Sequence, residues 1–137
     1  MARNFGIIGH GFMGHEHESM LTKLDGINVV AICDIDPEQL KDVTEGVKTY
    51  VNATDLIHDP DVEVVLIAAN NNQHKKLVIE AAEAGKQVLC EKPVALSLED
   101  LDEMEAACRK AGVTFTVHQQ RRYDIDFRTA KNIYDSG

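Results

Sequence analysis

Three glycines spaced as Gly9-His10-Gly11-Phe12-Met13-Gly14, set directly after the apolar run Phe5-Gly6-Ile7-Ile8, constrain this chain more than any other feature. A strand that turns straight into a helix through such a loop needs glycine at each place for a separate reason. Gly9 makes the tight turn, Gly11 lets backbone approach a pyrophosphate, and Gly14 allows helix to pack closely on strand. Free N–H groups at the helix start face the anion, and His10, Phe12 and Met13 complete the phosphate-side loop. The pattern alone also occurs in loops without ligands, so the surrounding residues decide.

Asp34 is the first of these. It ends the next apolar run, Val29-Val30-Ala31-Ile32-Cys33, 20 positions beyond Gly14. A carboxylate at the tip of a second strand accepts hydrogen bonds from adenosine ribose hydroxyls and repels a 2′-phosphate. No arginine follows to hold that phosphate, so NAD is expected ahead of NADP. Asp36 before Pro37 reads as the start of a helix over 37–45.

Strand and helix signals alternate along the whole chain. Strands are expected near 3–8, 27–33, 48–51, 63–68, 87–90 and 113–117, and helices near 12–24, 37–45, 73–85, 97–111 and 124–135, with a minor helix before Asp59-Pro60. That order means an α/β fold, a doubly wound and mainly parallel sheet of the Rossmann kind with helices on both faces. Val64-Val65-Leu66-Ile67, apolar and branched throughout, suits a central strand covered on both sides. Gly85 and Gly112 stand where helices end, and Ser97 with Asp100 forms a start signal of the capping-box kind. The 137 residues fit one domain, since domains commonly run to about 100–150 residues. We read 1–123 as the dinucleotide-binding domain and 124–137 as a helix leading out of it.

The net charge of −9 is spread along the chain, with no basic cluster denser than Arg121-Arg122, which argues against nucleic acid. No apolar run approaches the roughly 20 residues that span a bilayer, and the first residues lead straight into a strand, so neither membrane nor secretory signal is expected. Cys33, Cys90 and Cys108 lack metal or redox spacing and read as reduced packing residues of a cytoplasmic protein.

Ligands of such sheets bind beyond the carboxyl ends of the strands. Ala69, Asn70, Asn71 and His74 follow the fourth strand, Glu91-Lys92-Pro93 the fifth, and His118 to Tyr123 the sixth. The run His15-Glu16-His17-Glu18 suggests a metal cluster, but positions i and i+2 of a helix point about 200° apart and cannot share an ion, so no metal is expected. Arg121 and Arg122 either meet an anionic ligand or pair with Asp124 and Asp126.

These pieces together, Gly9 to Gly14, Asp34, Asn71 with His74, Glu91-Lys92-Pro93, and Arg121-Arg122-Tyr123-Asp124 before a last helix, resemble the glucose-fructose oxidoreductase and inositol dehydrogenase (Gfo/Idh/MocA) family. The resemblance implies an oxidoreductase that moves a hydride between NAD(P) and a sugar, polyol or related carbinol. In it Lys92 is the catalytic group beside the substrate oxygen, and Glu91 bonds ribose or holds Lys92. Gly9, His10, Gly11, Phe12, Met13, Gly14, Asp34, Ala69, Asn70, Asn71, His74, Glu91, Lys92 and Gln120 contact the cofactor. A second domain, where this sequence stops, would carry the substrate contacts and the interface of a homo-oligomer, leaving the present stretch inactive alone. The chain departs from the family at Ala69-Asn70-Asn71, where Thr-Pro-Asn is usual, and at Gln120, where Asn is common. A stand-alone NAD(H)-binding regulatory module is the alternative.

Overall fold

A computed structural model describes residues 2–137. The apolar runs become β1 (Arg3–Ile8), β2 (Ile27–Cys33), β3 (Lys48–Tyr50), β4 (Val64–Ile67), β5 (Gln87–Cys90) and β6 (Phe115–Val117). They form one sheet in the order β3-β2-β1-β4-β5-β6, and every neighbouring pair is parallel. The chain crosses from the β3 edge back to β4, so the order reverses between β1 and β4. Loops after those two strands diverge there and leave a crevice.

The helices are α1 (Phe12–Leu21), α2 (Ala53–Ile57), α3 (His74–Glu83), α4 (Leu98–Ala111) and α5 (Ile125–Ser136). Ser97 caps α4 by accepting the Asp100 amide hydrogen at 3.1 Å, and Gly112 ends it in the left-handed region at φ 70°. Both follow from the sequence signals. The expected helix over 37–45 does not form; only a 3-10 turn spans Pro37–Leu40, with Asp36 as its cap. Side chains take the backbone groups such a helix would use. The Gln39 carbonyl accepts from His10, and the Thr44 amide donates to Glu18, while Val43 and Thr44 add β-branching unfavourable to helix.

Alternate residues of each strand enter opposite layers. On one face Ile8, Ala31, Cys33, Val65, Ile67, Val88 and Cys90 meet Leu56 and Ile57 of α2, Val78, Ala81 and Ala82 of α3, and Met104 and Cys108 of α4. On the other, Ile7, Ile32 and Leu66 pack with Leu21 of α1 and with Leu40, Val43 and Val47. Each fully buried Ile, Leu or Val contributes about 1.5–3 kcal/mol relative to exposure. All three cysteines are free and buried, and burial pushes the Cys33 and Cys90 thiols up to about 12, which keeps them unreactive. In contrast α5 buries no residue, and Ile125, Ile133 and Tyr134 lie exposed on it.

Candidate functional site

The glycine loop owes its shape to contacts that a larger residue would destroy. Gly9 has φ +92°, and a Cβ there would stand 2.6 Å from the Ala68 carbonyl oxygen. A Cβ on Gly14 would collide with the Gly9 carbonyl oxygen, so the first turn of α1 presses directly onto the loop. At Gly11 the reverse holds: nothing lies within 4 Å of the Cβ position. Gly9 and Gly14 are required by the protein itself, whereas Gly11 borders vacant space at the start of α1, where unpaired amides can receive an anion.

That space continues into a cleft of about 750 Å³ whose walls include Gly9, Gly11, Asp34, Ala69 and Asn70. Asp34 is half-buried at the end of β2. Its Oδ2 accepts the His10 amide hydrogen at 2.7 Å and its Oδ1 that of Asp36 at 2.9 Å, so one carboxylate pins the glycine loop to the following turn. Further lone pairs remain on the cleft side. Ile35, Val51, Asn52, Ala53 and Thr54 also line the cleft, and the sequence reading passed over them. Their signal was positional, since they directly follow the carboxyl ends of β2 and β3.

His10 and His74, expected at the cofactor's edge, are instead turned inward, and both are fully buried. The His10 ring lies between the Gln39 carbonyl oxygen at 2.7 Å and Glu18 Oε2 at 2.8 Å. The His74 ring lies between the carbonyl oxygens of Ala69 at 3.0 Å and Pro93 at 3.1 Å, tying the loop after β4 to the loop after β5. These rings shape the crevice from behind. Each ring has a polar partner beside both of its nitrogens, and a buried imidazole's need for partners outweighs any pull toward solvent.

Glu91 and Lys92 separate in the same way. Glu91 is buried, and its Oε1 accepts from His17 Nε2 and His118 Nδ1, each at 2.7 Å, while Oε2 accepts the Lys92 amide hydrogen at 3.1 Å. Burial raises its pKa, but these bonds outweigh burial and hold the carboxyl below the ordinary value. Lys92 is exposed, next to a cis bond to Pro93. The carboxylate therefore fixes the backbone that carries the lysine, and leaves its ammonium group to the open side. His17, one of the two histidines flanking Glu16, is a partner of Glu91 that the sequence reading missed. Its place one helical turn beyond Gly14 was the available signal.

Of the remaining candidates, Phe12 is exposed and Met13 half-buried at the start of α1, Asn71 opens a 3-10 turn leading to α3, and Gln120 opens another after β6. None of these four lines the cleft that holds Gly11 and Asp34. Arg121 pairs with Asp124 at 3.0 Å and lies 3.7 Å from Asp126, an exposed arrangement worth little energetically. Arg122 sits over the Phe127 ring instead, 5.9 Å from its centre. Among the described residues no helix is long and apolar enough to cross a membrane.

Comparison with known proteins places this geometry. A family model described as an oxidoreductase family with an NAD-binding Rossmann fold matches residues 3–119. A myo-inositol 2-dehydrogenase of Thermotoga maritima is 38% identical over 135 residues, 96% of this chain and 40% of that protein. The crystal structure of a myo-inositol 2-dehydrogenase from Lactobacillus plantarum superposes with a TM-score of 0.92 at 34% identity, over 100% of this chain and 42% of that one. The WlbA dehydrogenase of Bordetella pertussis, solved with NADH and UDP-GlcNAcA, gives a TM-score of 0.93 at 29% identity, over 99% of this chain and 40% of that one. The chain thus spans about 40% of the length of the relatives it matches.

Proposed function

Because this chain belongs to the Gfo/Idh/MocA family of oxidoreductases, whose NAD-binding Rossmann domain it forms, we propose that it holds NAD in the crevice between β1 and β4 and serves a dehydrogenase acting on the CH–OH group of a sugar or polyol. The observation that carries this reading is the vacant space at Gly11, bounded by the amides of the α1 start and by Asp34. A pyrophosphate fits that cradle and a Cβ would fill it.

Bound there, the nicotinamide would supply hydride acceptance or donation, and the chain's own groups would bind and orient it. The α1 amides hold the pyrophosphate. Asp34 takes ribose hydroxyls with the lone pairs its two backbone bonds leave, and disfavours a 2′-phosphate by charge. Lys92 directs its ammonium at the substrate oxygen and steadies negative charge developing there as hydride leaves the neighbouring carbon. Glu91 acts through Lys92 by fixing its backbone. Proton removal from the carbinol and the remaining substrate contacts fall to a region corresponding to the part of the relatives that this chain does not cover.

Calorimetric titration of the chain with NAD and NADH tests the proposal. Saturable 1:1 binding that is stronger for NAD than for NADP, and lost on Gly11→Val, is the expected result. Absence of saturation at millimolar cofactor refutes it.

A further inference from the structure

Behind the glycine loop, away from the cleft, His10 meets α1 in an arrangement that the cofactor reading does not use. His10 is fully buried, and its Nδ1 lies 2.7 Å from the Gln39 carbonyl oxygen, which can only accept, so Nδ1 carries a hydrogen. A neutral ring then aims the Nε2 lone pair at Glu18 Oε2, 2.8 Å away. Glu18 is itself 6% exposed, and its Oε1 accepts the Thr44 amide hydrogen. Two lone pairs facing each other in a buried place need a cation between them, either a proton or a metal ion.

A third donor stands beside them. His15 is one turn before Glu18 on the same side of α1, and a donor atom from each of His10, His15 and Glu18 lies within 4.8 Å of the others. Its ring leans on that of His10, with centres 3.8 Å apart, and it is half-buried, so it is able to turn a nitrogen inward. We propose that His10, His15 and Glu18 bind a divalent transition-metal ion such as zinc, which locks the glycine loop to α1.

The donor set favours that class of ion. Two imidazole nitrogens and one carboxylate oxygen make a three-ligand zinc site with a fourth place for water, whereas magnesium and calcium prefer oxygen alone. Two ligands are already oriented by outer bonds, His10 by the Gln39 carbonyl and Glu18 Oε1 by the Thr44 amide at 2.9 Å. Ligation at about 2.0–2.1 Å asks Glu18 to draw back from His10 by a few tenths of an ångström and the His15 ring to leave the His10 face. His17 is not a member of this set, since it turns to Glu91 on the other side of the helix. In that second cluster both rings donate to one carboxylate oxygen, which needs no cation, so His118 there serves as a control.

The metal-free chain titrated with Zn²⁺ by calorimetry and with Co²⁺ by visible absorption decides the matter. One equivalent bound at micromolar or lower dissociation constant, with tetrahedral Co²⁺ bands, is expected. His15→Ala and Glu18→Gln should each weaken binding at least tenfold, and His118→Ala should leave it unchanged. Nitrogen-15 NMR follows the His10 ring in the unaltered chain, whose Nε2 resonance should move with the first equivalent of zinc. No saturable binding below millimolar metal, an Nε2 resonance that zinc leaves in place, or binding that survives His15→Ala but not His118→Ala overturns the proposal.

Discussion

Gly11 and Gly14 are the same residue a turn apart, yet replacing each should fail differently. A Cβ at position 14 meets the Gly9 carbonyl oxygen, so Gly14→Ala should lower stability by about 1–3 kcal/mol, read as a shifted urea midpoint. A Cβ at position 11 meets nothing within 4 Å, so Gly11→Val should unfold at nearly the same urea concentration and lose NAD in calorimetry. Asp34 invites a similar separation. Asp34→Ser removes the charge that disfavours a 2′-phosphate and weakens the bonds to the His10 and Asp36 amides. The ratio of NAD to NADP affinity should fall, with charge-assisted bonds worth roughly 1.5–3 kcal/mol setting the scale; an unchanged ratio would move cofactor selection elsewhere. Gly9, Gly14 and Asp34 were legible because local spacing dictates them. The inward turn of His10 and His74 was not, because it depends on carbonyl groups of Gln39, Ala69 and Pro93 that only the folded backbone brings near.

Among elements, α4 and α5 are both amphipathic in sequence, but only α4 is used by the core. Met104→Ala on α4 should cost about 2–5 kcal/mol, because Met104 is fully buried against the sheet. Ile133→Lys on α5 should change stability by no more than about 0.5 kcal/mol, since Ile133 is 68% exposed; chemical denaturation of both variants measures the difference. Sequence periodicity found these two helices equally well, because it reports an apolar stripe and not whether anything covers it. The 37–45 stretch failed for the complementary reason. Its Asp36-Pro37 start signal was correct, but Gln39 and Thr44 had their backbone groups claimed by residues in the loop and α1, far away in sequence. The tie between α1, β5 and β6 has a pH signature. Glu91 has its pKa depressed in the folded state, so the stability it contributes is present above the unfolded value of about 4.3 and is lost as pH falls through the folded one. Glu91→Gln should flatten the acid limb of a plot of urea midpoint against pH between neutrality and about pH 3, relative to the unaltered chain.

For the whole molecule, the alternating strand and helix signals were enough to expect a doubly wound sheet, and the order β3-β2-β1-β4-β5-β6 follows the right-handed crossovers that such a chain prefers. Cofactor binding and catalysis should therefore divide. The 137-residue chain should bind NADH yet fail to oxidise inositols or glucose at an ordinary rate of about 1 s⁻¹, as followed by NADH absorbance, because Lys92 alone provides no acceptor for the carbinol proton. Measurable turnover would place the base inside these residues, with His118 the first to replace. The bond from His17 to Glu91 spans 74 positions, and His118, the last member of that cluster, lies 27 beyond Glu91. A ribosome releases this protein from its amino end, so the glycine loop emerges long before the residues that brace the helix behind it. A nascent chain halted short of β6 can already have β1, β2 and α1, but Glu91 then lacks one of its two imidazole partners. Lys92 gains the full bracing of its backbone only once β6 has been synthesised, so this part of the candidate site becomes ordered later during translation than the glycine loop.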